Sequence, residues 1–157
     1  MASILVINGP NMNLLGLREP EFYGSSTLPE LESHIKEIAH ANGHTVTCMQ
    51  SNSEHVLIEA IHGAMENETD FIIINAGGYA HTSIALRDAF LATEIPFVEV
   101  HMSNVFEREE YRQRSYLSDI AQGVICGFGT VSYMLAVMAV TSLAHAFSEA
   151  DDEDETC

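Results

Sequence analysis

The stretch SILVINGPNMNLLGLREPEFYG, residues 3–24, decides how the chain is read. Ser3 to Ile7 is a short apolar run with β-branched side chains, the composition of a buried strand. Seventeen residues then follow, Asn8 to Gly24, rich in Asn, Gly and Pro, before Thr27 and Glu30 form a capping box for the first helix. Strand-to-helix connections usually need only a handful of residues, and a longer one without structure of its own tends to be a functional lid or a disordered segment. The expectation is a strand feeding a loop that closes over a ligand.

Working outward, strand and helix patterns alternate to the end of the chain. Strands are predicted at Ile4–Ile7, Thr45–Met49, Phe71–Ile74, Phe97–Val100 and Val124–Cys126. Leu31, Ile35 and Ile38 share one face of the first helix, which Asn42-Gly43 stops. A second helix is expected over about Ser53–Glu66, a third over Thr82–Thr93, and a last one after Gly129. Short strands that are apolar on both faces, separated by helices, imply a parallel sheet covered on both sides. The expected fold class is α/β: one flavodoxin-like, doubly wound domain over residues 1–148, with a five-stranded parallel sheet in the order 2-1-3-4-5.

Composition narrows the function. The chain has 157 residues, is 46% hydrophobic and carries a net charge of −17. Six of its 23 acidic residues fall in the last nine positions, EADDEDETC, which read as a solvated, disordered tail over 149–157. Nucleic-acid phosphates need a basic face, so this balance argues against such a partner. The apolar segment Met134–Phe147 is too short for a membrane span and reads as a buried helix. Three scattered cysteines without CxxC spacing fit free thiols and a cytoplasmic location, and no zinc site is expected. The only lysine, Lys36, sits in the amphipathic first helix, which closes imine chemistry.

In open parallel sheets, ligands bind beyond the carboxyl ends of the strands at the switch point, here beside strands 1 and 3. That edge should hold Asn8, Asn11, Asn75, Glu99, His101, Ser103 and Asn104, with His81 at the start of the third helix and Arg108, Arg112 and Arg114 close by. Arg18 and Tyr23 ride on the first loop. Such a set suits a small, hydroxylated, anionic molecule, and no metal is expected there. Glu99 and His101 are two apart, so on a strand they face one side, and the carboxylate can fix the imidazole tautomer. Each feature also has a bland origin. Asn and Gly are ordinary turn formers, GFGT (Gly127–Thr130) is the tight start of a helix, and His34, His40, His44, His55, His62 and His145 read as helix-packing residues.

NGPNMNLLGLREPEFYG, INAGGYAHTSIALRDA and VEVHMSNVFEREEYRQRSYLS, in this order and spacing, resemble type II 3-dehydroquinate dehydratase over roughly residues 3–147. The resemblance implies an anti elimination of water from 3-dehydroquinate through an enolate, without metal or cofactor, with Tyr23 as base and Arg18 beside it. It implies that Asn11 helps stabilise the enolate through a water, and that His101, oriented by Glu99, protonates the departing hydroxyl. It assigns substrate binding to Asn75, His81, Arg112 and Ser103, together with the backbone N–H of Met102. It implies homotrimers, in which Asp88 reaches a neighbour's site, assembling four at a time into a dodecamer. An ordinary tyrosine costs about 4 kcal/mol to ionise at pH 7, so a base of this kind needs guanidinium groups nearby.

Two rivals stand beside this reading. A non-catalytic flavodoxin-like module would bind a small anionic ligand, but a receiver wants acids after strand 1 and Asn8–Asn13 holds none. A hydrolase would use Ser83 or Ser103 with His81, yet no G-x-S-x-G elbow is present.

Overall fold

The computed structural model describes residues 1–18, 21 and 25–154. Strands β1 (Ser3–Asn8), β2 (Thr45–Gln50), β3 (Phe71–Asn75), β4 (Phe97–His101) and β5 (Gly123–Cys126) form one parallel sheet in the order β2-β1-β3-β4-β5. Helices α1 (Leu28–Ala41), α2 (Glu54–Glu66), α3 (Ile84–Thr93) and α4 (Val131–Asp154) cover it. The expected flavodoxin-like topology is therefore what the chain adopts.

Side chains alternate across the pleat, and the two faces carry separate cores. Ile4, Val6, Ile73, Val98 and Val100 pack under α1 and α4 with Leu31, Ile35, Tyr133 and Val137. Ile7, Ile72, Ile74 and Phe97 pack under α2 and α3 with Leu57, Ile61, Leu86 and Phe90. At about 1.5–3 kcal/mol for each fully buried large aliphatic, these two layers hold the strand ends in place.

Local signals place the helices. Thr27 and Glu30 form the reciprocal capping box at the start of α1, and Gly43 takes the left-handed φ of +80° that ends it. Ser53 caps α2 and Ser83 caps α3, each accepting from the backbone N–H three residues on. Ser83 Oγ is thereby engaged at 2.9 Å by the N–H of Leu86 and is a cap, not a poised nucleophile.

The final helix departs from expectation at both ends. It runs on to Asp154, so the acidic residues 149–154 continue α4 where a disordered tail was expected. Asp151, Asp152 and Asp154 are weak helix formers, so composition alone does not favour this extension. Elongation of a nucleated helix adds one backbone bond per residue, and Glu149, Ala150 and Glu153 are good helix formers. The apolar stretch also extends beyond Met134–Phe147: Val131–Ala150 is long and apolar enough, by length and composition alone, to cross a membrane. Here one face of that helix, with Tyr133, Ala136, Val137 and Val140 buried, packs on the sheet and α1.

Candidate active site

A cleft of about 170 Å³ opens beyond the carboxyl ends of β1, β3 and β4. Its walls bring together Asn11, Arg18, Asn75, His81, His101, Met102, Ser103 and Arg112, all expected at this edge. Pro10, Met12, Leu15, Gly77, Gly78, Val105 and Arg108 complete the lining. In a chain of net charge −17, no described acid lines this cleft, whereas three arginines do. The local field favours an anionic ligand.

The floor depends on close backbone approach. Gly9 N–H donates to the Asn75 carbonyl at 2.8 Å, and a Cβ on Gly9 would lie only 2.4 Å from the Ala76 carbonyl oxygen. Asn11 follows with φ +69°, a left-handed conformation that asparagine tolerates. Its N–H is held by Asn52 Oδ1 at 2.9 Å, while Gln50 Nε2 donates to both Gly9 O and Asn52 Oδ1 at 3.1 Å. The first half of the loop is thus tied to the end of β2. Tyr23, expected as the base, lies outside the described residues.

Asn8 and Asn75 end adjacent strands in register, both on the α4 side of the sheet. Tyr133, fully buried on α4, joins them: its hydroxyl donates to Asn8 Oδ1 at 2.6 Å and accepts from Asn75 Nδ2 at 2.9 Å. Asn75 Oδ1 accepts from Gly77 N–H at 3.2 Å. Burial raises the Tyr133 pKa well above its ordinary value, so the phenol stays protonated. Asn8 Nδ2 has no hydrogen-bond partner among the described residues, a cost of about 1–3 kcal/mol for a buried donor.

On the opposite face of β4, His101 Nε2 lies 2.7 Å from Glu99 Oε2. Glu99 is 0% exposed. Ser118 Oγ donates to its Oε1 at 2.7 Å and Ser115 Oγ donates to the same oxygen at 2.9 Å. Burial alone pushes this carboxyl up, but the bonds from His101, Ser118 and Ser115 together outweigh it and hold Glu99 below the usual carboxylate range. An ionised carboxylate accepts only, so Nε2 carries the proton and Nδ1 is the nitrogen left for proton exchange with a ligand.

His81 stacks on His101 with ring centroids 5.9 Å apart, and its Nδ1–H donates to the Arg114 carbonyl at 2.7 Å. Burial lowers its pKa, the Arg114 carbonyl opposes that, and His101 and Arg112 add to the depression. A neutral His81 therefore offers Nε2 as a polar group beside the arginines. Arg112 Nε donates to Glu109 Oε2 at 2.9 Å, and Arg108 Nε lies 3.8 Å from the same oxygen.

Two expected neighbours, Asn104 and Arg114, stand apart from the cleft, as does Asp88, which was expected to serve a neighbouring subunit's site. Asn104 caps a single 3-10 turn by accepting from Phe106 N–H, Arg114 contributes its carbonyl, and Asp88 is exposed on α3. Ser115, Ser118 and Tyr133 support the site without having been singled out from sequence. A lone tyrosine near the start of an otherwise apolar helix was the available signal for Tyr133.

A five-stranded doubly wound sheet with a cationic, amide-lined cleft and a buried carboxylate–histidine pair defines an acid–base enzyme for a small anionic substrate. The chain belongs to the family Dehydroquinase class II, which its residues 2–141 match. A 3-dehydroquinate dehydratase of Methylococcus capsulatus is 57% identical over 145 residues, spanning 92% of this chain and 98% of its own. That of Xanthomonas campestris is 56% identical over 140 residues, 89% of this chain and 95% of its own. The crystal structure of type II dehydroquinase from Butyrivibrio crossotus superposes with a TM-score of 0.86 at 43% identity, covering 88% of this chain and 96% of that one.

Proposed function

We propose that the cleft converts 3-dehydroquinate to 3-dehydroshikimate and water by an anti elimination through an enolate, with no Schiff base. The observation that carries this reading is the His101–Glu99 pair, an imidazole in the cleft wall backed by a buried carboxylate held below its ordinary pKa by His101 itself and by two serines.

Tyr23, as phenolate, takes the proton from the carbon next to the ketone, and the electron pair moves onto the ketone oxygen. Asn11, working through a water, steadies the enolate, and Arg18 favours the anionic base. The enolate then collapses, the carbon–oxygen bond to the departing hydroxyl breaks, and protonated His101 gives that oxygen its proton as water leaves. Tyr23 has gained the proton His101 lost, and exchange with solvent restores both. Glu99 supports the positive ring at the moment it is needed. Asn75, His81, Ser103 and the Met102 N–H hold substrate hydroxyls and carboxylate, and Arg112 exchanges its Glu109 partner for the ligand. A role in aromatic biosynthesis or quinate breakdown, in the cytoplasm, fits this substrate.

The same reading makes the active form a dodecamer built from trimers, with Asp88 serving a neighbouring site. The exposure of Asp88, away from its own cleft, and of Val124, Phe128, Val131 and Met138 supports this.

The test is ultraviolet absorbance of the conjugated enone when purified protein meets 3-dehydroquinate, before and after borohydride treatment. Turnover that survives borohydride in the wild type and vanishes in Tyr23→Phe is expected. Absence of turnover would return the cleft to a binding role, and near-normal turnover of Tyr23→Phe would remove that residue as base.

A further inference from the structure

The Asn8–Tyr133–Asn75 chain has a direction that follows from its ends. Gly77 N–H can only donate, so Asn75 must present Oδ1 to it and Nδ2 to Tyr133. The tyrosine oxygen then accepts from Asn75, and its proton has to go to Asn8 Oδ1. Rotating Asn75 by half a turn would set its NH₂ against Gly77 N–H. Among the described residues the second Nδ2 hydrogen meets only Met12 Sδ at 3.6 Å, a weak acceptor that also lines the cleft.

We propose that Tyr133 is a positioning residue for the dehydration: it locks the Asn75 amide so that an N–H donor, not a carbonyl, is turned to the substrate. A substrate hydroxyl oxygen is a stronger acceptor for that N–H than the Met12 sulfur beside it. Asn8, whose Oδ1 absorbs the tyrosine proton, completes the lock and leaves its own Nδ2 unpartnered to do so. The arrangement acts on binding, because Asn75 lies in the wall opposite the acid–base pair and handles no transferred proton. This inference rests on the dehydratase reading of the cleft.

The experiment is a double-mutant cycle in the full-length protein, measuring KM and kcat for 3-dehydroquinate in Tyr133→Phe, Asn75→Ala and the combined variant, with melting curves to confirm folding. Loss of a well-aligned buried bond predicts a KM about tenfold higher in Tyr133→Phe, with kcat within about threefold of wild type. If Tyr133 acts through Asn75, adding its substitution to Asn75→Ala changes KM by less than about twofold. A KM in the combined variant raised by the full product of the single effects, or an unaltered KM in Tyr133→Phe, overturns the proposal. Should Tyr133→Phe fail to fold, Asn8→Ala, which removes the acceptor of the tyrosine hydrogen bond together with the unpartnered Nδ2, enters the same cycle with the same two outcomes. Inactivity of the wild type would overturn the dehydratase reading instead, which keeps the two failures apart.

Discussion

Glu99 and His101 stand two residues apart on β4 with 2.7 Å between Oε2 and Nε2, and the carboxylate is closed to solvent while the imidazole reaches the cleft. The carboxylate therefore sees substrate only through the ring. Glu99→Gln keeps the shape and the bond length but removes the charge that supports a protonated ring. We expect kcat to fall by about 10²-fold with KM little changed, in the range that general acid catalysis contributes. Steady-state kinetics on the two proteins decide it; an unaltered kcat would show that the carboxylate has no part in proton delivery.

Ser83 offers a separate check on the hydrolase alternative. Ser83→Ala should cost about 1 kcal/mol of stability as a lost helix cap, read from a denaturant midpoint, and leave dehydration intact. Loss of turnover at unchanged stability would reinstate the hydroxyl as a reacting group.

Gly9→Ala should be far more damaging than its size implies. The new methyl would meet the Ala76 backbone at 2.4 Å, so β1 and β3 must separate where the cleft floor is built. The expected result is a loss of roughly 1–3 kcal/mol, the usual range for overpacking, with substrate binding impaired in parallel. Thermal melting that matches wild type would mean that the two strand ends separate freely.

His44 predicts a pH dependence of stability. Its Nδ1 accepts from Ala2 N–H at 3.1 Å and its Nε2 donates to Thr141 at 2.9 Å, which ties the start of β1 to α4 through a neutral ring. Burial, the N-terminal ammonium and His145 all lower its pKa in the folded state. The unfolded chain therefore binds a proton near pH 6.5 that the folded chain refuses, and stability falls as pH drops through and below that value. His44→Asn, which keeps an acceptor for Ala2 without a titrating ring, should lose less stability than wild type between pH 7 and 5. Equal losses in the two proteins would show that other groups set the acid limit.

The strands and the start of the first helix were legible because each had a local cause, while the sheet order and the position of the cleft followed from the alternating strand–helix pattern as a whole. Apolar strands and the Thr27–Glu30 box act within a few residues, whereas the Ser53 and Ser83 caps were not singled out from sequence. Strand ends were read short at the ligand edge for one reason: apolarity stops at Ile7, Ile74 and Val100, whereas backbone pairing continues through Asn8, Asn75 and His101. The polar residues of the site are thus the last rungs of the ladder itself. Ser115 and Ser118 were invisible because they reach Glu99 from an irregular segment with no period to read. His44 passed for a packing residue because its partners lie 42 and 97 positions away.

The bond from Tyr133 to Asn8 spans 125 positions, nearly the whole chain. During synthesis, β1 and its loop leave the ribosome well before the hydroxyl beneath them, which arrives only with α4. A nascent chain can lay down the first three strands and still lack an organised floor under its cleft. The site is thus among the last parts of the fold to be completed, and a product shortened before residue 133 has the strands of the enzyme without its anchored amide.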